Sequence, residues 1–292
     1  MNWHRTQLTE RDPISNDTDE VPIKTYTRRQ MLAYTAGTLA SGTFVVSNTE
    51  SSGFDVTRHT VSLANLDRPL RIVQITDLHR SQFVSEQFIE RVVTAANAAE
   101  PDLVLLTGDF VTRTSGYADS CMRPLSRLKA RIGKYAVLGN HDYWCDGGNG
   151  GPTITDALNQ IEIDVLTNRN TKLSNGVRLV GVDDLMGGFP NYGLSFAGTS
   201  SLEPTIVMSH NPGTFFILCR YNCLVLAGHT HGGQIYVPGF SKFIIGSKFL
   251  RGWYRLPNQP GHMYISRGLG TIHVPMRIGS PPELAVFDVR PA

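Results

Sequence analysis

Five short strings of His, Asp and Asn side chains, all of them able to bind metal ions, follow apolar segments of the sequence. The strings are Asp77-Leu78-His79, Gly108-Asp109, Gly139-Asn140-His141-Asp142, Ser209-His210-Asn211 and Gly228-His229-Thr230-His231-Gly232. In Asp77-x-His79 and His229-x-His231 the two side chains share one side of an extended segment, so each pair can bind one ion. Mixed imidazole and carboxylate ligation favours transition metals such as Zn, Fe or Mn, whereas Mg²⁺ and Ca²⁺ prefer shells of oxygen. A carboxylate such as Asp109 can bridge two ions about 3.5–4 Å apart, as two-metal hydrolases require.

The elements that must position these strings are predicted to be strands. Apolar runs at 70–76, 103–106, 135–138, 205–208 and 224–226 each end shortly before one of the strings. In open α/β sheets, ligands bind in the crevice at the carboxyl ends of the strands. We therefore expect the five strings to meet at such an edge.

Helices are predicted between the strands of the first half of the sequence. Ser85 is the expected N-cap of a helix whose apolar face is Phe88, Ile89, Val92, Val93 and Ala96, and further helices are predicted at 121–130 and 154–160. The second half contains more strand-like segments, at 177–182, 234–237, 263–266 and 284–289, with few helical periods between them. The alternation in the first half indicates the α/β class, a sheet with helices packed on it.

Composition limits the class of protein without identifying its chemistry. The chain has 292 residues, of which 41% are apolar, enough for a sizeable core in one large domain or two small ones. A formal net charge of +2 is too weak to favour nucleic acid as the main partner, and we expect none. The four cysteines form no Cys-x-x-Cys pair, and buried free thiols are favoured over a disulfide.

Residues 1–56 are predicted to be an export segment and linker, and the folded domain is placed at 57–292. Arg28 and Arg29 precede a mildly apolar stretch, 31–46, that is too short and too weak for a transmembrane helix. Paired arginines before such a stretch resemble a twin-arginine signal, and the alternative is a disordered tail with a chance arginine pair. The twin-arginine export machinery is therefore an expected partner. The expected location is the periplasm or cell envelope, with the segment either cleaved or retained as an anchor.

The motifs D-x-H, G-D, G-N-H-D, H and G-H-x-H, in this order over roughly residues 70–290, resemble those of the calcineurin-like metallophosphoesterase superfamily. The resemblance implies a four-layer α/β/β/α sandwich and a centre of two divalent transition-metal ions, Mn, Fe or Zn. One ion would be held by Asp77, His79, Asp109 and His231, and the other by Asp109, Asn140, His210 and His229. It also implies hydrolysis of phosphoester or pyrophosphate bonds by a water that the ions activate.

Two residues beside the motifs are candidates for contact with the substrate. The resemblance places His141 near the leaving oxygen, as a general acid or a hydrogen-bond donor, and the alternative is a histidine that only orients Asn140. Arg80 directly follows the metal ligand His79 and is a candidate for contact with a phosphate. A solvated surface arginine is an equally supported interpretation of Arg80.

A stretch rich in aromatic, aliphatic and basic residues lies between Phe240 and Arg255. Within it, Phe249, Arg251 and Trp253 are candidates for binding a substrate chain or for touching a membrane surface. The alternative is a core hairpin whose basic side chains reach past apolar neighbours to solvent.

Departures from the wider family pattern narrow the expected function. The segment 108–114 lacks the second aspartate of the protein-phosphatase motif G-D-x-V-D-R-G, which argues against a Ser/Thr protein phosphatase. Segments 228–234, 267–270 and 281–283 are similar to a bacterial envelope branch that includes UDP-diacylglucosamine pyrophosphatase-type enzymes of lipid A synthesis. The expected substrate is therefore an envelope or lipid-linked phosphate. The alternatives are a broad-range exported phosphatase or nucleotidase and, in another class, a metal-binding protein without catalysis.

Overall fold

The computed structural model describes residues 46–47, 53–235 and 248–292, which form two six-stranded sheets flanked by helices and a small sheet in which 46–47 pair with 277–278. The strands are β1 (Val46–Ser47), β2 (Asp55–Leu63), β3 (Leu70–Ile75), β4 (Leu103–Thr107), β5 (Gly133–Val137), β6 (Asp164–Val165), β7 (Arg169–Lys172), β8 (Arg178–Gly181), β9 (Thr205–Met208), β10 (Cys223–Ala227), β11 (Gly252–Arg255), β12 (His262–Ile265), β13 (Arg277–Ile278) and β14 (Glu283–Pro291). The helices are α1 (Glu86–Ala98), α2 (Ala118–Leu125), α3 (Asn140–Gly148), α4 (Gly150–Gln160), α5 (Tyr192–Ser195) and α6 (Phe215–Leu218).

Each sheet is built around a group of parallel strands. The first sheet has the order β2-β14-β3-β4-β5-β6, in which β3 to β6 are parallel and β14 is antiparallel to β3. The second has the order β11-β12-β10-β9-β8-β7, in which β12, β10, β9 and β8 are parallel and the two edge strands are antiparallel to their neighbours. Parallel strands with apolar residues on both faces must be covered on both faces.

The two sheets cover each other on their inner faces. Ile72 and Phe287 of the first sheet share one buried cluster with Met208 and Leu226 of the second. On the outer face of the first sheet, Val104 packs in a second cluster with the helices α1, α2 and α4. On the outer face of the second sheet lie the shorter helix α6 and its neighbours. The predicted four-layer α/β/β/α sandwich is confirmed.

Helix α1 matches its prediction closely. The Ser85 side chain accepts a hydrogen bond from the Phe88 backbone N–H at 3.2 Å, so Ser85 is the N-cap. The buried face consists of the five predicted residues Phe88, Ile89, Val92, Val93 and Ala96.

Three predicted elements differ from the structure. The helix predicted at 154–160 is α4, which begins earlier, at Gly150. The helix predicted at 121–130 is α2, which begins and ends earlier, at Ala118 and Leu125. It ends there because the Asn97 side chain captures the backbone that follows, donating to Arg127 O at 2.9 Å and accepting from Lys129 N at 2.8 Å. A strand is predicted at 234–237, but its first residue, Gln234, is not in an extended conformation, since its φ is 39°. Residues 236–237 lie outside the described residues.

The cysteine prediction is confirmed, since all four thiols are buried and free. No helix within residues 53–235 and 248–292 is long and apolar enough to span a bilayer. The predicted export segment, 1–56, lies almost entirely outside the described residues.

Candidate metal centre

All seven predicted metal ligands lie just beyond the carboxyl ends of parallel strands. In the first sheet, Asp77 and His79 follow β3, Asp109 follows β4 and Asn140 follows β5. In the second sheet, His210 follows β9, and His229 and His231 follow β10. Because the sheets pack face to face, their ligand-bearing edges adjoin, as expected from the sequence.

The ligand atoms converge in two clusters. Asp77, His79 and His231 form one cluster and Asp109, His210 and His229 the other, and within each cluster the ligand atoms lie within 4.8 Å of one another. Asn140 joins the second cluster, since its Oδ1 lies 2.9 Å from Nδ1 of His229. The arrangement provides candidate sites for two ions.

Asp109 links the two clusters through a single oxygen. Its Oδ2 lies 3.3 Å from Nε2 of His79 and 3.2 Å from Nε2 of His210. These two histidines belong to different clusters. Asp109 would therefore be able to serve ions held in both clusters.

The spacing of the donor atoms fits a metal ion better than hydrogen bonds alone. Nε2 of His79 lies 3.0 Å from Nε2 of His231, which in turn lies 3.4 Å from Oδ1 of Asp77. Two nitrogens with lone pairs repel at this distance unless a proton or a cation lies between them. Ligands bound to one Zn²⁺ at about 2.0–2.1 Å are about 3.0–3.4 Å apart at the usual angles. The spacing of the residues therefore fits a divalent metal ion.

Partners of the second ring nitrogens orient three of the histidines. Nδ1 of His210 donates to the carbonyl of Thr107 at 2.7 Å, which turns Nε2 toward Asp109. Nδ1 of His79 lies 2.9 Å from the hydroxyl of Thr112, and Nδ1 of His231 lies 3.2 Å from Nη2 of Arg277. In each case Nε2 is the nitrogen that faces the cluster.

Burial and mutual charge shape the protonation of the cluster residues. Burial, aided by His210, lowers the pKa of His229 to about 4. Burial, His79 and Arg277 hold the pKa of His231 well below its usual value. Burial opposes ionisation of Asp109, but facing His210 and His79 holds the pKa of its carboxyl well below the usual range. Burial opposes protonation of His210, but the charge of Asp109 raises the pKa of His210 well above its usual value. Metal ligands must be neutral imidazoles and ionised carboxylates, so His229, His231 and Asp109 match this requirement, and His210 would have to release a proton to bind an ion.

Five of the seven predicted ligands have a left-handed backbone. The φ angles are 53° at Asp77, 48° at His79, 57° at Asp109, 74° at His229 and 52° at His231. Asp and His enter this region more readily than most residues, yet each instance costs on the order of 1 kcal/mol. Such concentration of strain is typical of functional sites.

Asp142 supports the centre in a role that the motif alone did not reveal. Its carboxylate accepts hydrogen bonds from the backbone N–H groups of Asp109 and Phe110, both at 2.8 Å, and of Gly139 at 2.9 Å. Burial and the charge of Asp109 raise the pKa of Asp142 to about 7. One side chain thus ties the β4 loop to the loop that carries Asn140. Asp142 stands in the G-N-H-D string, in the first turn of α3, where a helix favours an acidic side chain.

His141 lies beside the first cluster. Its backbone N–H donates to Oδ1 of Asp109 at 2.9 Å. Its ring centroid lies 4.9 Å from that of His79 and 5.5 Å from that of Trp144. Burial, with smaller contributions from His79 and other histidines, lowers the pKa of His141 to about 4. A neutral imidazole next to the ligands can donate a hydrogen bond to a substrate oxygen.

Arg80 is engaged with its own loop. Its guanidinium donates to the carbonyls of Ser81 and Val84, the latter at 2.8 Å, and lies over the ring of Tyr117 at 4.8 Å. These contacts explain its position without a phosphate, and a phosphate contact stays a prediction.

The three candidates from the aromatic stretch occupy different surroundings, and 240–247 lie outside the described residues. Phe249 is buried and lines a cavity of about 590 Å³ together with His229 and His231. Arg251 donates to Gly279 O at 2.8 Å. Trp253 is 41% exposed and lies on β11, where it packs against Tyr264 with ring centroids 5.0 Å apart.

Comparison with known proteins identifies relatives across most of the chain. The family described as calcineurin-like phosphoesterase matches residues 70–233. The chain is similar to the uncharacterized metallophosphoesterase YkuE of Bacillus subtilis, with 29% identity over 288 residues, covering 92% of this chain and 99% of the relative. An uncharacterized metallophosphoesterase of Helicobacter pylori is 31% identical over 239 residues, covering 79% of this chain and 62% of the relative. The UDP-2,3-diacylglucosamine pyrophosphatase LpxG of Chlamydia muridarum is 27% identical over 274 residues, covering 75% and 83% respectively.

Proposed function

This chain belongs to the calcineurin-like phosphoesterase family, and from that premise we propose that it hydrolyses the phosphoester or pyrophosphate bond of a lipid-linked phosphate at a centre of two transition-metal ions. Family membership makes the chain a metal-dependent phosphoesterase, and its two clusters are candidate sites for divalent ions. Four imidazoles among seven ligands favour Mn, Fe or Zn over Mg²⁺.

The observation that carries the two-ion proposal is the position of Asp109. Its Oδ2 faces one histidine of each cluster at 3.2–3.3 Å, so one carboxylate can serve both ions. When bound, the two ions lower the pKa of a water molecule and neutralise charge on the phosphoryl oxygens. Asp142 holds the Asp109 loop in place. In the proposed reaction His141, whose ring lies 4.9 Å from that of His79, donates a hydrogen bond to the phosphate or the leaving oxygen.

The cavity beside the clusters supports an amphipathic substrate. Its lining combines His229 and His231 with the apolar side chains Phe216, Phe249 and Ile272. Lys248 also lines the cavity, and its ammonium lies over the Phe216 ring at 5.7 Å. A phosphate attached to a hydrocarbon chain matches this combination of ligand, cation and apolar surface. The relative LpxG, a UDP-2,3-diacylglucosamine pyrophosphatase by its name, supports the same class of substrate.

Metal content and activity test the two-ion centre. Purified protein should contain close to two transition-metal ions per chain, and chelation should abolish hydrolysis of a chromogenic phosphodiester. Asp109→Asn should lose most of its bound metal and most of its activity, because the bridging carboxylate serves both ions. Asp288→Asn is a matched control, since the Asp288 carboxylate pairs with Arg71 at 2.9 Å and belongs to neither ligand cluster. Full activity of metal-free Asp109→Asn would refute the assignment.

A pair of substrates tests whether the enzyme prefers a lipid-linked phosphate. A diacylated UDP-sugar and its deacylated counterpart carry the same pyrophosphate and differ only in their acyl chains. We expect kcat/KM at least tenfold higher for the diacylated compound, measured in matched detergent. Equal values would favour the alternative, an exported phosphatase or nucleotidase of broad range.

We also propose that the chain is exported, with 1–56 as export segment and linker and 57–292 as the catalytic domain. The support is the Arg28-Arg29 pair before the mildly apolar stretch 31–46. An envelope location would bring the cavity to lipid-linked phosphates.

A further inference from the structure

Arg277 lies directly behind the predicted ligand His231. It is the largest fully buried side chain of residues 53–235 and 248–292, with an exposure of 0%. Its Nη2 lies 3.2 Å from Nδ1 of His231, and its Nη1 donates to the His231 carbonyl at 3.3 Å. Both the ring and the backbone of this ligand are therefore held by one guanidinium.

The remaining hydrogen bonds of Arg277 hold the loop 267–270 and Ser280. Nη1 donates to Arg267 O at 2.8 Å and to Ser280 O at 3.2 Å. Nε donates to Gly270 O at 2.9 Å, and Nη2 donates to the same carbonyl. A guanidinium presents its N–H donors in a rigid plane, so these bonds fix several carbonyls relative to one another.

The loop 267–270 in turn lies against Asp77, a second ligand of the same cluster. Gly270 N donates to Asp77 O at 2.6 Å, and Leu269 N donates to Thr76 O at 3.1 Å. Gly268 has a φ of 68°, and a Cβ there would stand 2.7 Å from Cβ of Asp77. The close approach leaves Asp77 little freedom to move away from His231.

Different groups support the other cluster. The Thr107 carbonyl orients His210, and the Asp142 carboxylate holds the backbone of Asp109. The hydrogen bonds of Arg277 among the described residues run instead to His231, the loop 267–270 and Ser280. The two sets of supports are distinct, although the backbone N–H of His229 donates to Oδ1 and Oδ2 of Asp77 at 3.0 and 3.1 Å and so links the two clusters.

We propose that Arg277 is a positioning residue that sets the affinity of one ion, the one on Asp77, His79 and His231. By holding Nδ1 of His231, Arg277 keeps Nε2 turned toward Asp77 and His79. Through the loop 267–270 it holds Asp77 at a matching distance. The inference rests on the proposed two-ion centre and is independent of the substrate.

The test is metal binding to Arg277→Lys. Lysine keeps the charge but cannot hold several carbonyls and a ring nitrogen in one plane. Metal-stripped protein is titrated with Mn²⁺ against a competing chelator, and bound metal is counted by elemental analysis. We expect one of the two ions to bind 10–100-fold more weakly, as supports of metal ligands usually show, and the other to change less than about threefold. The paramagnetic resonance spectrum should change from a coupled Mn pair to an isolated Mn ion.

Two further variants separate positioning from general damage. Ser280→Ala removes the hydrogen bond from Ser280 Oγ to His231 O at 2.9 Å. It should lower the affinity for the same ion by a smaller factor than Arg277→Lys does. Arg178→Lys is the matched control, because Arg178 forms a two-pronged pair with Glu203 at 2.8 and 3.0 Å. It should lower the melting temperature and leave both affinities unchanged.

The outcomes distinguish this inference from the two-ion proposal. Wild-type protein that binds no ion would overturn both. The role of Arg277 alone would be overturned if wild-type protein binds two ions and Arg277→Lys binds both with unchanged affinity. The same conclusion would follow if Arg277→Lys weakens the binding of both ions equally. If Arg277→Lys does not fold, Ser280→Ala decides, since unchanged affinities there would contradict the proposal.

Discussion

Phe216 offers the sharpest probe of the proposed lipid-linked substrate. It lies on α6, is 48% exposed and lines the cavity next to His229 and His231. Phe249 is a poorer probe, because it is buried in the core cluster outside the second sheet. Phe216→Ala should therefore remove apolar surface that faces the cavity while leaving most of the core intact.

The expected size of the effect follows from the exposed area. An aromatic side chain offers about 200 Å² of surface, so roughly 100 Å² of Phe216 is free for an acyl chain to cover. At about 25 cal/mol per Å² this contributes about 2.5 kcal/mol at most. Ordering the chain offsets part of it, and about 1–2 kcal/mol remains. This corresponds to about a 5–30-fold rise in KM.

The assay compares the diacylated and deacylated UDP-sugars on three proteins. Phe216→Ala should raise KM for the diacylated compound and leave kcat/KM for the deacylated compound within about twofold. Ile217→Ala is the control, since Ile217 is the next residue on α6, is 37% exposed and is not among the described residues that line the cavity. Equal loss on both compounds, or equal loss in Ile217→Ala, would refute the acyl-binding role of this surface.

Three further predictions concern catalysis, acid stability and export. His141→Ala should keep its metals and slow turnover by about 10²–10³, the usual cost of losing one hydrogen-bond donor to the transition state. Because burial and neighbouring histidines lower the pKa of His141 to about 4, we expect a neutral donor rather than a general acid, and the loss should be similar for nitrophenyl and alkyl leaving groups. Burial opposes ionisation of Glu283, but bonds from His59, Thr57 and Arg267 lower its pKa to about 2. Its stabilisation is thus present above the ordinary pKa of 4.5 and lost as pH falls toward 2, so Glu283→Gln should lose about 2–3 kcal/mol at pH 7 and far less at pH 2 by urea unfolding. Arg28→Lys with Arg29→Lys should retain the protein in the cytoplasm on fractionation, and unchanged export would indicate another route.

Sequence periodicity predicted the central elements because their patterns are local. The face of α1 follows from a 3.6-residue period, and β4 is a continuous apolar run buried on both faces. The edge strands gave no such signal. β7 contains only polar residues. In β2 every residue before Leu63 is at least partly exposed. These segments are strands because a neighbour pairs with them, which is a property of the tertiary fold.

The candidate ligands were predictable for a different reason. Each ligand lies two to four residues after the end of a strand, and four of the seven lie beside a glycine, which makes the strings conspicuous in the sequence. Their supports carry no local signature. Arg277 reaches His231 from 46 positions away, and Asp142 acts on the backbone of Asp109 from 33 positions away. A buried arginine satisfied mainly by carbonyls is indistinguishable in sequence from a surface arginine, because its partners are backbone groups.

The aromatic stretch shows how strand geometry divides residues that a sequence presents as one surface. Phe249, Trp253 and Tyr254 are close in sequence, and the sequence alone indicates one apolar binding surface or one core hairpin for all three. Successive side chains of β11 point to opposite faces of the second sheet. Tyr254 therefore packs against Phe249, with ring centroids 5.1 Å apart, while Trp253 packs toward Phe287 of the first sheet at 6.0 Å. The face that carries Phe249 adjoins the cavity, so an acyl chain held there would contact the Phe249 side of the sheet, and Trp253→Ser should alter stability more than substrate preference.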